Sequence, residues 1–167
     1  AAVHHLLPTE DFTFDPILLA DAKITLPGPV DPIAPVHRVV ERMRAAARVR
    51  LLPVGYVAES LRANRDAVVE DGQSLTVVFK REILESIADD PTGAEYLSEL
   101  LGADSEIYCF DGSVPYSAYE ADGSYAIGLI DEGGAAQALI ETDDETVGAW
   151  FSSHFEARQG ASERLDR

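Results

Sequence analysis

Residues able to do chemistry are few in this 167-residue chain. Four histidines occur: His4 and His5 near the start, His37 on a predicted helix and His154 among aromatic residues of another. Metal sites need His, Cys or acidic ligands clustered at fixed spacing. His4 and His5 read as terminal residues, His37 has no ligand-spaced partner on its helix, and His154 reads as a hydrogen-bonded core or rim histidine. Cys109, the single cysteine, lies in the apolar run Ile107–Phe110, where a buried thiol is expected. Neither a GxxxxGK[ST] nor a GxGxxG phosphate cradle occurs, and no GxSxG elbow presents a serine. Carboxylate pairs such as Asp89–Asp90 and Asp143–Asp144 carry little information in so acidic a chain. The expectation is a protein with no catalytic residues, no metal and no cofactor.

One concentration of functional groups remains. In open α/β sheets, ligands gather beyond the carboxyl ends of parallel strands. Those ends are expected at Pro53–Tyr56, Phe79–Arg81 and Phe110–Gly112, and a following meander adds Pro115, Tyr116 and Tyr119. Tyr56, Lys80, Arg81, Tyr116 and Tyr119 are therefore the candidate ligand-binding residues, suited to an anionic or aromatic small molecule. The competing reading has Lys80 and Arg81 pairing with acidic neighbours at a helix start while the tyrosines complete the core.

The elements that must position these groups follow from periodicity. Residues 1–35 are proline-rich and read as an extended lead-in, with the apolar piece Phe12–Ala22 docking on the domain. Val36, Val39, Val40 and Met43 draw a helical stripe. Then come a strand near Arg48–Val54, a helix near Tyr56–Glu70, a strand at Leu75–Phe79, a helix over Arg81–Leu101 divided at Asp90–Pro91, and a strand at Ile107–Phe110. Right-handed crossovers make these strands parallel. From Pro115 the pattern switches to hairpins turning at Asp122–Gly123 and Glu132–Gly134. A last helix opens with Thr142 and Glu145 spaced as a capping box. The predicted fold is a single α/β domain over 36–158, a three-layer sandwich with a mixed sheet, parallel βαβ units preceding an antiparallel meander. The tail, 159–167, is expected to be loose.

Charge narrows the partners. Thirty acidic residues face thirteen basic ones, a net −17, and the acids are spread through every segment. Such self-repulsion strains a compact state in dilute buffer and nearly vanishes at molar salt, where the screening length falls to roughly 3 Å. Scarce lysine (Lys23 and Lys80) with abundant Ala and Val is the composition of a halophilic, cytoplasmic protein. The rival, an acidic nucleic-acid mimic or chaperone, would cluster its charge on one face. DNA affinity rests on Lys and Arg neutralising phosphates, and the densest basic stretch, Arg38 to Arg50, reads as the solvated face of a helix. No run of apolar residues is long enough to span a membrane.

Several segments together resemble a known family. They are Phe14-Asp15-Pro16, Leu18–Ala22, Asp31-Pro32, Ala34–Val36 and Arg48–Arg50, then Pro115-Tyr116, the Gly128 strand, Ala138–Asp144 and Trp150. This order is similar to the middle domain of the methanogenesis regulatory protein, carried after a winged helix by many haloarchaeal transcription regulators, and it runs from about Phe12 to Phe155. The resemblance implies an effector-sensing, homodimeric domain of a transcription regulator, with an unknown small-molecule effector and DNA contacted by a winged helix not present in this chain. The element order also looks like half of a phospholipase D-type fold. That enzyme class uses HxK followed by Asp, and around Pro115, Tyr116 and Ser117 there is no His or Lys, so hydrolysis does not carry over. A phosphodiester hydrolase would have to use Ser117, Tyr116 or His154 as nucleophile. A protein–protein interaction module is the third reading.

Overall fold

A computed structural model describes residues 11–166. His4 and His5 lie outside them. Among the described residues, eight strands and five α-helices follow one another: β1 (Lys23–Thr25), α1 (Ala34–Ala45), β2 (Arg48–Leu52), α2 (Ala58–Val69), β3 (Ser74–Lys80), α3 (Arg81–Asp89), α4 (Pro91–Gly102), β4 (Ser105–Phe110), β5 (Ser117–Ala121), β6 (Ser124–Ile130), β7 (Ala136–Thr142), α5 (Glu145–Gly160) and β8 (Glu163–Arg164). They form one sheet in the order β1-β7-β6-β5-β2-β3-β4-β8. β2, β3 and β4 are parallel, while β5, β6 and β7 form the antiparallel meander that joins them through β5 against β2.

Alternation along the strands builds two cores. Val49 and Leu51, Leu75, Val77 and Phe79, and Ile107 and Cys109 face α1 to α4, where Met43, Leu61, Ile87 and Leu100 meet them. Leu52, Val78, Ala118, Ile127 and Ile140 face the other way, onto Val147, Trp150, Phe151 and Phe155 of α5. The sheet thus separates four helices from one, the expected three-layer α/β sandwich.

Local chemistry places the boundaries. Pro35 sits in the first turn of α1, where a missing N–H is harmless. Asp90 divides α3 from α4, its carboxylate accepting from the Thr92 N–H as the N-cap of α4. Asp122 (φ 50°) and Gly123 (φ 82°) both take positive φ, the geometry of a tight hairpin turn. The helix expected to open at Thr142 opens later: β7 runs through Thr142, and Asp144 caps α5 by accepting from Thr146 and Val147.

Both ends of the described stretch pack against the rest of the domain. Phe12, Phe14 and Leu19 are buried on the α5 face, Phe12 stacks on Trp150 at 5.0 Å, and the Trp150 indole donates to the Asp11 carbonyl. β1 then extends the sheet beside β7. At the other end α5 continues to Gly160, and β8 pairs with β4 through Tyr108 and Cys109. The tail from residue 159 is therefore helix and edge strand through Arg164.

Candidate functional site

The five candidate ligand-binding residues do not share one crevice. Tyr116 and Tyr119, three apart across the start of β5, fall on opposite faces of the sheet. Tyr116 is 1% exposed and packs against Phe12 and Trp150, with the Arg158 guanidinium 5.7 Å from its ring centre. Burial pushes its phenol above the ordinary value. Arg81 is exposed and forks onto Asp111, 2.5 and 3.3 Å away, joining the ends of β3 and β4. That pair holds the Asp111 carboxyl below the usual carboxylate range. Lys80 is half-buried at the start of α3.

Tyr56 and Tyr119 do meet a common space. A half-open cavity of about 440 Å³ lies beyond the end of β2, between α1, the first half of α2 and the β5–β6–β7 meander. Its walls are Val36, Val39 and Met43 of α1, Pro53 to Val57 of the β2–α2 connection, Ser60, Leu61 and Asn64 of α2, and Ala138 and Leu139 of β7, with Phe79 and Ile87 behind. Among the described residues that line it, none is charged. Three of the exposed large apolar side chains, Ile33, Val57 and Ile130, also line it.

Polar groups in this wall are sparse and specific. Asn64 is 3% exposed, and its carboxamide oxygen has no hydrogen-bond partner among the described residues. Buried polar atoms are almost always paired, so an unpaired one needs a reason. The Tyr119 hydroxyl is likewise buried and unpaired, its phenol pushed well up by burial and by the Glu141 carboxylate, with Arg42 and Arg38 acting the other way. Tyr56 donates to Asp90 at 2.6 Å, tying the β2–α2 connection to the α3–α4 junction. Burial first, then that bond, push its phenol to about 12. Gly93 makes room for this contact, since a Cβ there would stand 2.6 Å from the Tyr56 hydroxyl.

Sequence reasoning missed Asn64 because a lone Asn inside a helix gives no motif. Its one available signal was its place on the Leu61–Val68 apolar stripe of α2. The direction of the ligand expectation also changes. The cavity sits at the first of the three expected strand ends, without the cations placed at the second, so the anionic class has no countercharge there.

Other reactive groups are engaged elsewhere. His154 Nδ1 lies 2.9 Å from the Trp150 carbonyl, and its ring packs on Trp150 at 4.7 Å. His37 pairs with Asp31 at 2.8 Å. Cys109 is buried, which raises its thiol pKa. Only part of the basic stretch is the solvated face expected of it, Arg44 and Arg48 being exposed. Arg38 and Arg42 reach the buried Glu141, and Arg50, on β2, bonds Glu120 at 2.7 Å beneath α5, against Phe151 and Phe155. Arg62, Arg65, Arg81 and Arg164 also meet carboxylates. Among the described residues no group of His, Cys, Asp and Glu has metal-binding geometry. No described helix is long and apolar enough to cross a membrane.

Residues 32–160 match the family described as the methanogenesis regulatory protein FilR1, middle domain. The chain belongs to that family. Membership of the FilR1 middle-domain family supports an effector-sensing or dimerisation role in regulation rather than enzymatic hydrolysis. No match was found among curated protein sequences. Solved structures give the fold. TrmBL2, described as an archaeal chromatin protein with a novel mode of DNA binding, superposes with a TM-score of 0.66 at 14% identity, over 90% of this chain and 57% of TrmBL2. The chain thus spans little more than half of TrmBL2. Nuc from Salmonella typhimurium, a phospholipase D family member, gives 0.65 at 11% identity over 88% of this chain and 100% of its own. NucT from Helicobacter pylori gives 0.66 at 10% over 87% and 99%. The FilR1 middle domain seen here therefore has a phospholipase D-like fold.

Proposed function

We propose that this FilR1 middle domain is the effector-sensing part of a halophilic, cytoplasmic archaeal transcription regulator, and that the effector occupies the cavity between α1, α2 and the meander. The observation that carries this reading is the unpaired, buried Asn64 carboxamide oxygen in a largely apolar wall. Ligand pockets characteristically combine apolar lining with a few convergent polar groups, in volumes of about 300–1,000 Å³. The cavity also joins elements that can report on its occupancy. Tyr56 links its wall to the α3–α4 junction, and Ile33 to Val39 link it to the lead-in. An effector shifts a regulator only by binding one arrangement of such elements better than another.

In this reading the domain works as a homodimer, and DNA is held by a winged helix belonging to the same regulator. The internal pairing of most arginines with carboxylates supports that division of labour, as does the DNA-binding description of TrmBL2. A metabolite screen at molar KCl tests it. A saturable thermal shift, abolished by Val57→Trp at the cavity wall, is the expected result. A screen in which no compound gives such a shift removes ligand sensing and leaves dimerisation as the domain's role.

A further inference from the structure

We infer that the effector is an uncharged, mainly apolar molecule carrying one hydroxyl or amide group, the group that bonds Asn64. This inference rests on the cavity being the effector site.

Charge excludes the ionic classes. The chain is 26% charged residues, yet the described residues lining the cavity include no Lys, Arg, His, Asp or Glu. Nearby cations face carboxylates: Arg38 bonds Glu141, Arg42 stands 3.5 Å from it, and Arg81 forks onto Asp111. A bound carboxylate or phosphate would leave water for an apolar wall with no countercharge, a desolvation that neutral ligands escape. An ammonium group fares no better, because Asp90, the carboxylate tied to the wall, is engaged by the Tyr56 hydroxyl at 2.6 Å and by the Thr92 N–H.

The apolar body follows from the lining. Val36, Val39, Leu61, Phe79, Ile87 and Leu139 offer carbon surface, and Ile33, Val57 and Ile130 carry it out to exposed positions. The polar handle follows from Asn64, since the other unpaired polar group of the lining, the Tyr119 hydroxyl, stands beside the Glu141 and Arg42 charges. The Asn64 carboxamide oxygen is an acceptor with no donor among the described residues, and an O–H or N–H on the ligand would satisfy it.

A matched series separates the classes by head group alone: 1-hexanol, hexanamide, hexanoate and hexylammonium, each titrated against the folded chain at molar KCl with thermal unfolding as readout. Hexanol and hexanamide are expected to raise Tm saturably, by about 3–5 °C at ten times the dissociation constant. Hexanoate and hexylammonium are expected to give no saturable rise. Val57→Trp should abolish the response to both neutral probes. Asn64→Leu, which keeps the fold and the apolar wall, should weaken hexanamide about 3- to 10-fold, the worth of one hydrogen bond.

The outcomes separate cleanly. If a charged probe shifts Tm as strongly as the neutral pair and Val57→Trp removes that shift, the cavity remains the effector site and the neutral class is overturned. If Asn64→Leu leaves hexanamide binding unchanged, the polar handle is overturned. If no probe gives a saturable rise, or Val57→Trp leaves the rise intact, both the class and the cavity assignment are overturned.

Discussion

Replacing Asn64 with leucine should make the protein more stable while impairing its response to ligand. Asn64 is 3% exposed, and its carboxamide oxygen has no partner among the described residues. An unpaired buried amide costs about 1–3 kcal/mol. Leucine has the same branched outline, removes that penalty, and adds a few tenths of a kcal/mol of helix propensity in the middle of α2. The greater bulk of leucine offsets part of that gain, so a net stabilisation of about 1–2 kcal/mol is expected. Urea unfolding at fixed molar KCl measures it as a rise in midpoint with unchanged m, and thermal unfolding as about 2–8 °C in Tm. A polar residue kept where an apolar one is more stable points to function. Destabilisation by 1 kcal/mol or more would show that the amide serves the fold, and the argument for a ligand would lose its main support.

Three further outcomes follow from other contacts. Glu141 is 7% exposed and holds Arg38 at 2.9 Å and Arg42 at 3.5 Å, so Glu141→Gln should destabilise by about 1–3 kcal/mol in urea, discounted from the fully buried case because both guanidiniums keep some water. Gly93→Ala should destabilise by about 1–2 kcal/mol despite the roughly 1 kcal/mol helix propensity alanine adds, because the new Cβ meets the Tyr56 hydroxyl and the Ile87 carbonyl at 2.6 and 2.9 Å; a more stable variant would refute that packing. His37 should titrate above its ordinary 6.5 in an NMR pH series, chiefly through its bond to Asp31, and Asp31→Asn should bring it back down. Since its folded pKa is raised, the His37–Asp31 contribution is complete below about pH 6.5 and is lost as pH rises through the folded value.

Much of this architecture was legible because it is written in periodicity. The helical stripe of α1, the continuous apolar run of β3, the Asp90–Pro91 break and the Asp122–Gly123 turn each act through local geometry. β1 and β8 were not legible. They are three and two residues long, mostly exposed, and exist because an edge strand offers unpaired backbone groups. The cap of α5 moved from Thr142 to Asp144 because β7 keeps Thr142 in the ladder with Tyr125, a tertiary preference that overrides a four-residue motif.

The candidate site was legible only in part, for a related reason. Strand ends mark where a crevice is expected, and Tyr56 lines the cavity there, but they do not say which face each later side chain takes. The placing of Tyr116 and Tyr119 on opposite faces depends on how β5 docks against β2. The pairing of Arg81 with Asp111 depends on the parallel register of β3 and β4. Asn64 acquires its significance from what surrounds it in space, which its neighbours in sequence do not reveal.

The most direct test of an effector site in the α1–α2 cavity is residue-resolved NMR during titration with hexanamide at molar KCl. Saturable amide shifts should concentrate at Val57, Ser60 and Asn64 on one wall and at Ala136 and Leu139 on the other. Shifts centred instead on Lys80, Arg81 and Asp111, or on Trp150 and Phe155 across the sheet, would place binding elsewhere and contradict the assignment.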